Sequence, residues 1–191
     1  GTPTGWENCW TQSTFTGSVR WESEDATGAN ENSFATGPFY DNTSPSTAGG
    51  TYMYLETSSS GGPAELTSPG IDIGTVSNPE LEYHYHLFGT TINKLVIYAE
   101  NSSGTRTAID SLTGAQQIAQ GDPFLRRAVS LSSLSAGVYK FVFEGQRGTS
   151  FTGDISIDDV SVQQGATCAR PFSLPTEPQS TSSAIARWNS S

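Results

Sequence analysis

Apolar and polar side chains alternate with a period of two along several short stretches of the chain, the signature of strands with one face in a core. The clearest is Glu80 to Phe88, where Leu81, Tyr83, Tyr85 and Leu87 share one face and Glu82, His84, His86 and Phe88 the other. Tyr139, Phe141 and Phe143 alternate in the same way with Lys140, Val142 and Glu144. Thr51 to Thr57 and Ile92 to Glu100 are further strong strands, and Ser18 to Trp21, Ala64 to Ser68, Arg106 to Leu112 and Phe124 to Leu131 are weaker ones. The stretch Tyr139 to Val162 reads as the last long strand pair. In it Glu144-Gly145-Gln146-Arg147-Gly148 supplies a turn, and Gly153-Asp154 opens a second strand carrying Ile155, Ile157, Val160 and Val162. Glu22 to Asn32 reads as a polar loop and Thr36 to Thr43 as a turn-rich stretch. No stretch sustains a 3.6-residue period, so the pattern predicts an all-β domain, a sandwich or a barrel.

Composition narrows the function classes. The chain has 191 residues, enough for one domain, or one domain plus a fragment, with a single sizeable core. Nineteen acidic against nine basic residues give a net charge of -10, and no basic run is present to neutralise phosphates, which argues against a nucleic-acid surface. No apolar run approaches the roughly 20 residues of a membrane span. The abundance of Ser, Thr and Gly suits a secreted domain, and the start at Gly1 is expected to belong to a mature or excised piece of a longer product. Cys9 and Cys168 lie at opposite ends of the domain. In a reducing compartment they are incidental; in a secreted sandwich whose terminal strands lie side by side they can pair, contributing about 4–5 kcal/mol in the loop-entropy model.

Several side chains are candidates for chemistry. Asp158 and Asp159 interrupt the last apolar strand side by side. Adjacent carboxylates repel unless a cation, hydrogen-bond donors or water separate them. With Asp41 and Glu7 they form a set of hard oxygen donors suited to Ca²⁺, which takes roughly six to eight oxygens; a hydrogen-bonded carboxylate cluster is the alternative. His84 and His86 share a strand face and are read either as a bonded pair on the sheet or as groups that hold a transition metal or ring a ligand. Arg126 and Arg127 are adjacent and point to opposite faces, while Arg147 lies in the glycine-flanked turn. An arginine cluster would suit an anionic sugar; internal pairing, for example Arg147 with Glu144 or Glu56, is the competing reading. Three N-x-[ST] sequons begin at Asn42, Asn101 and Asn189. No nucleophile-elbow, zincin or Cys-His motif is present.

A set of motifs in order along the chain resembles the MAM domain, an extracellular module. Trp10-Thr11-Gln12 is similar to its N-terminal motif, and Thr36-Gly37-Pro38 with Asp41-Asn42-Thr43 to its glycine-proline loop. Tyr52 to Glu56, Leu66-Ser68-Pro69 and Tyr83-Tyr85-His86-Phe88-Gly89 resemble the strands that follow. Glu144-Gly145, Arg147-Gly148, Gly153-Asp154-Ile155 and Ile157-Asp158-Asp159 resemble its closing signature, with Gly165 and Cys168 at its end. The family usually carries four cysteines and this chain has two, so the usual disulfides do not carry over and a Cys9–Cys168 bond would be a substitute. The resemblance implies a jelly-roll-like β-sandwich of two antiparallel sheets over residues 1–168. It also implies a non-catalytic role, with a structural cation near Glu7, Asp41 and Asp158.

After Cys168 a Pro-rich stretch precedes alternation from Ser183 to Trp188. Residues 169–191 thus resemble a linker and the truncated start of a fibronectin type III segment, carried by Cys168, Pro171, Leu174 and Trp188. The appended segment and missing cysteines resemble modular secreted proteins of bacterial type. The expected function is recognition of polysaccharide, an anionic uronate-type glycan included, with His84, His86, Arg126, Arg127 and Arg147 as ligand-binding residues. The alternative is protein–protein cell adhesion.

Overall fold

In the computed structural model residues 10–13, 19–25, 35–44, 50–165, 176–180 and 183–186 are described, with the backbone alone at 25, 176–180 and 183–186. Glu7, Cys9 and Cys168, and with them the expected disulfide, lie outside the described residues. Eleven strands build the body: β1 (Thr11–Gln12), β2 (Arg20–Asp25), β3 (Thr51–Glu56), β4 (Ala64–Thr67), β5 (Ile71–Asp72), β6 (Pro79–His86), β7 (Lys94–Asn101), β8 (Arg106–Thr113), β9 (Leu125–Ser130), β10 (Val138–Gln146) and β11 (Ile155–Gln164). They form two antiparallel sheets. One runs β2-β3-β11-β6-β9; the other runs β1-β4-β10-β7-β8, with β5 also on β10. The protein is an all-β sandwich, as the alternation and the resemblance led one to expect. A separate antiparallel pair, β12 (Thr176–Ser180) and β13 (Ser183–Ala186), follows.

The core lies between the sheets. Leu81, Tyr83 and Tyr85 of β6 face Phe141 and Phe143 of β10, and the rings of Tyr83 and Phe143 meet edge-on at 5.5 Å. Trp21 is fully buried, and its indole N–H donates to the Ala64 carbonyl at 3.1 Å, joining β2 of one sheet to β4 of the other. Along the flank where β8 and β9 lie, Asp110 accepts from the Tyr83 hydroxyl at 2.9 Å and from both Nε and Nη2 of Arg127 at 2.7 Å. That clasp ties β8 to β6 and β9 across the sandwich.

Four local expectations are corrected. Tyr139 to Val162 is not a pair: β10 bonds β4, β5 and β7, whereas β11 bonds β3 and β6 in the opposite sheet. Gly145 is not in a turn but inside β10, where a Cβ would stand 2.6 Å from Leu55 Cδ2 and 3.3 Å from Trp21. The close approach of the other sheet, not a bend, explains this glycine. Glu22 to Asp25 continues β2 as an edge strand rather than a loop; its acidic side chains suit an edge. The first and last strands are not bonded neighbours either, since β1 pairs β4 and β3 separates β2 from β11.

At one end of the sandwich the chain crosses itself at bare backbone. A Cβ on Gly148 would lie 1.7 Å from the Thr91 carbonyl oxygen. Thr91 N–H donates to the Thr152 carbonyl at 3.0 Å, which fixes the two segments together.

Replacing Gly145 by Ala is expected to destabilise the domain by about 1–3 kcal/mol, because Leu55 and Trp21 are fully buried and have no free space to yield. For a chain of this size that corresponds to a fall in Tm of roughly 3–10 °C. Calorimetry of the variant checks it; an unchanged Tm would mean the sheets are less closely apposed there.

Candidate functional site

The outward face of the β2-β3-β11-β6-β9 sheet gathers most of the side chains that the sequence nominates. Strand register places Asp158 of β11 opposite His84 of β6, and His84 opposite Arg126 of β9. One step along, Ser156 stands between Tyr54 and His86. Period-two alternation thus brings Arg126, His84 and Asp158 into one row and His86, Ser156 and Tyr54 into the next. Tyr52, Tyr54 and Phe124 form a small apolar cluster on this face; the Phe124 ring lies 5.9 Å from Tyr52 and 5.5 Å from His86.

An outward sheet face is normally solvated, but part of this one is buried. Tyr52, Tyr54, Phe124, His86 and Ser156 are all classed with the interior. Segment 35–44 contributes to this cover through polar contacts. Thr36 Oγ1 donates to the Phe88 carbonyl at 3.1 Å and accepts from Asp154 N–H at 2.9 Å. Gly37 N–H donates to Phe88 and Phe39 N–H to Gln120. At its far end Asn42 N–H donates to Asp158 Oδ2 at 3.1 Å, and Asn42 Nδ2 donates to Asp159 Oδ2 at 2.8 Å. Asn42, Ser156 and the three aromatic residues were not singled out beforehand as site residues of this face. Alternation around Ile155 and Ile157 could have placed Ser156 outward; nothing local marks Asn42 as a latch.

The adjacent carboxylates fit into the strand through a bulge. The β11–β6 register shifts between Asp158 and Ser161, and Asp159 takes a left-handed φ of 48°. Asp158 is thereby half-buried and Asp159 exposed. Asp159 N–H donates to Asp158 Oδ1 at 2.8 Å. Burial pushes the Asp158 carboxyl up to about 7; the Asn42 N–H opposes this, and the like charges of Asp159 and Asp41 add to it. Asp41 is buried, and its carboxylate accepts from Thr43 Oγ1 at 2.9 Å and from Ser44 N–H, so it staples its own turn. Among the described residues no three His, Cys, Asp or Glu side chains are grouped to hold a metal ion.

His86 is fully buried, and neither ring nitrogen has a hydrogen-bond partner among the described residues; Nδ1 of His84 and Oγ of Ser156 are also buried and unbonded. Of the two readings of the histidines, neither a bond between them nor a group of metal ligands around them is seen among the described residues. Burial pushes His86 down to about 4, opposed by the charge of Asp122 and by the polar backbone of that residue, which lies near the ring without forming a regular hydrogen bond. Ser156 and His86 face each other, yet no hydrogen bond joins them.

The arginines do not form a cluster. Arg126 pairs with Glu82 and lies 3.8 Å from Glu80. Arg127 is spent in the Asp110 clasp on the other side of its strand. Arg147 pairs with neither Glu144 nor Glu56: its Nε donates to the Thr57 carbonyl at 2.8 Å and its Nη1 to the Gly148 carbonyl at 3.1 Å. A cavity of about 200 Å³ lies between Tyr40, Asn42, Asp122 and Phe124. A second of about 200 Å³ opens near the Asp158–Asp159 bulge, walled by Trp10, Met53 and Leu66.

Residues 5–169 match the family described as "MAM domain, meprin/A5/mu". The chain belongs to the MAM family. A curated relative is the MAM domain-containing glycosylphosphatidylinositol anchor protein 1 of Gallus gallus, 32% identical over 128 residues, which are 64% of this chain and 13% of that protein. Another is the MAM and fibronectin type III domain-containing protein 1 of Acropora millepora, 34% identical over 84 residues, 44% of this chain and 17% of that protein. The matches span only about an eighth to a sixth of those relatives' lengths. Among solved structures, the K1 cleaved adhesin domain of Lys-gingipain from Porphyromonas gingivalis W83 superposes with a TM-score of 0.54 at 17% identity, covering 82% of this chain and 91% of that one. The K2 adhesin domain of the same protein gives 0.52 at 15% identity, covering 82% and 89%. At these identities the likeness is one of fold. The MAM match ends before β12 and β13, and no described helix is long and apolar enough to cross a membrane.

A second buried carboxylate in this MAM domain sets a pH dependence. Asp154 Oδ1 accepts from the Thr57 N–H at 2.9 Å and hydroxyl at 2.7 Å, while Oδ2 is buried without a partner. Burial pushes Asp154 up to about 7 from 3.8. Between those values the folded form holds a proton that the unfolded chain has lost, so this contribution is full below 3.8 and disappears as pH rises through about 7. His86 works oppositely: its contribution is full above 6.5 and disappears as pH falls through about 4. Asp154→Asn is therefore expected to raise Tm relative to the parent at pH 8, with the gap shrinking toward pH 4.5. Thermal melts across this range check it, and a gap of constant size would contradict a raised Asp154 pKa.

Proposed function

We propose that this MAM domain is a non-catalytic extracellular recognition module that binds polysaccharide on the outward face of its β2-β3-β11-β6-β9 sheet. The observation that carries the reading is the row Arg126–His84–Asp158 beside the Tyr52–Tyr54–Phe124 cluster. A sugar ring presents an apolar face and a rim of hydroxyls, and aromatic rings next to charged and imidazole groups complement both. With Arg126 shared between Glu82 and Glu80 and the other two arginines committed elsewhere, this face carries no concentrated positive charge. The uronate reading loses the cluster on which it rested, and a neutral chain fits better. The non-catalytic part of the reading is supported by the MAM family match.

A structural Ca²⁺ belongs to the same reading. Glu7, Asp41, Asp158 and Asp159 would hold it; the Asp41 carboxylate also accepts from Thr43 and Ser44, which orients it and leaves a lone pair for an ion. A cation there would relieve the crowding of like charge that raises Asp158. Residues 169–191 are read as a linker and the start of a fibronectin type III-like unit, which the hairpin β12–β13 supports. The alternative function, protein–protein adhesion, is favoured by Ile118, 93% exposed, and by the exposed Phe39, whose N–H bonds Gln120 in the Ile118-bearing loop.

A glycan array probed with Ca²⁺ and with chelator tests the first reading. Saturable binding to a neutral polysaccharide is expected, with His84→Ala and Arg126→Ala each weakening it about tenfold, a loss of the size of one charge-assisted hydrogen bond. No binding to any glycan together with concentration-dependent self-association would favour adhesion instead. Ca²⁺ binding to the folded state is expected to raise Tm, by about 2–4 °C for each kcal/mol of linkage; identical melts with Ca²⁺ and with chelator would count against the ion.

A further inference from the structure

We propose that segment 35–44 is a displaceable strap that governs access to the outward face of the β2-β3-β11-β6-β9 sheet. The proposal rests on the glycan reading for its ligand, but its mechanical part stands on separate observations.

The first is what lies beneath. His84 Nδ1, both ring nitrogens of His86 and Ser156 Oγ are buried and unbonded on adjacent positions of β6 and β11. Native interiors satisfy nearly all such groups, and leaving one unsatisfied is costly. Four together on one small face mark a surface built to meet a polar partner. An extended glycan is such a partner: its hydroxyls both donate and accept, as unbonded imidazole and hydroxyl groups require.

The second is how the cover is held. Its attachments include Thr36 to Phe88 and Asp154, Gly37 to Phe88, Phe39 to Gln120, the Gln120 side-chain amide to the Thr36 and Gly37 carbonyls, and Asn42 to Asp158 and Asp159, and all of these are polar. None of its residues belongs to either buried apolar cluster. Beside it, the cavity between Tyr40 and Phe124 shows that it leaves a gap against the 120–124 segment.

The third is strain at the root. Ala35, where the strap begins, has φ 66°. A side chain other than Asn or Asp resists the left-handed region, and such strain gathers at switching segments. Closure therefore stores strain that opening can release.

Two substitutions move the strap in opposite directions. Asn42→Ala removes the side-chain latch to Asp159 and should favour opening. Ala35→Gly removes the penalty of the positive φ and should favour closure. The direct readout needs no glycan: the rate at which diethyl pyrocarbonate modifies His86, resolved by tandem mass spectrometry, with amide exchange in β10 as the control for global unfolding. His86 modification is expected to be about three- to tenfold faster in Asn42→Ala and slower in Ala35→Gly, with β10 exchange in Asn42→Ala changing far less. Equal rates in the three proteins, or changes that merely track β10, would overturn the strap. The same variants on a neutral-glycan array should bind more tightly and more weakly than the parent, since affinity scales with the open fraction. If the parent binds a glycan and Asn42→Ala does not improve it, the strap does not govern access. If His86 responds as expected and no variant binds any glycan, the strap stands and the glycan reading fails.

Discussion

The end of strand β6 that carries His86 is enclosed on both of its faces, and much of the molecule follows from that constraint. Inward, Leu81, Tyr83 and Tyr85 pack against the opposite sheet. Outward, His86 is as fully buried as they are. A strand of a two-layer sandwich ordinarily has one wet side, which can carry any polar residue at little cost. Here His86, Asp154 and in part Asp158 have been taken from water while remaining an imidazole and carboxylates. The depressed pKa of His86 and the raised pKa values of Asp154 and Asp158 are consequences of that enclosure.

The inward side is conventional and supplies the stability. The Tyr83–Phe143 contact, the Trp21 bond to Ala64 and the Asp110 clasp each join one sheet to the other. Tyr83 serves twice, its ring in the core and its hydroxyl in the clasp, so the flank and the centre of the sandwich are mechanically linked. The outward side is secured differently, by hydrogen bonds from a loop. That division lets the face change its cover without disturbing the core, because no residue of 35–44 takes part in the inter-sheet packing.

Much of this was legible in the residues. The faces of Glu80 to Phe88 could be assigned from alternation alone, and Arg126 and Arg127 point to opposite sides for the same reason. The oddity of Asp158 beside Asp159 was also visible, though only φ at Asp159 identifies it as a bulge. What could not be read was pairing between distant segments. Tyr139 to Val162 has the local form of a hairpin, but β10 and β11 find their partners elsewhere because both sheets need a long central strand. Gly145 reads as a bend because local rules treat glycine as punctuation, whereas the cause is a neighbour more than 80 residues away in sequence, Leu55. The arginine partners failed for a similar reason. Glu82, Asp110 and the Thr57 carbonyl are brought to them by topology, not by spacing.

The crossing at Gly148 and Thr91 has an evolutionary corollary. Where two backbones pass with no room for a methyl group, neither segment can gain or lose a residue independently of the other, since the carbonyl that one presents must still meet the bare Cα of its neighbour. Insertions and deletions should accordingly be excluded around 89–91 and 148–153 among chains that share this crossing. Diversity in loop length would have to accumulate elsewhere on the sandwich, leaving this end as a fixed reference for aligning distant relatives.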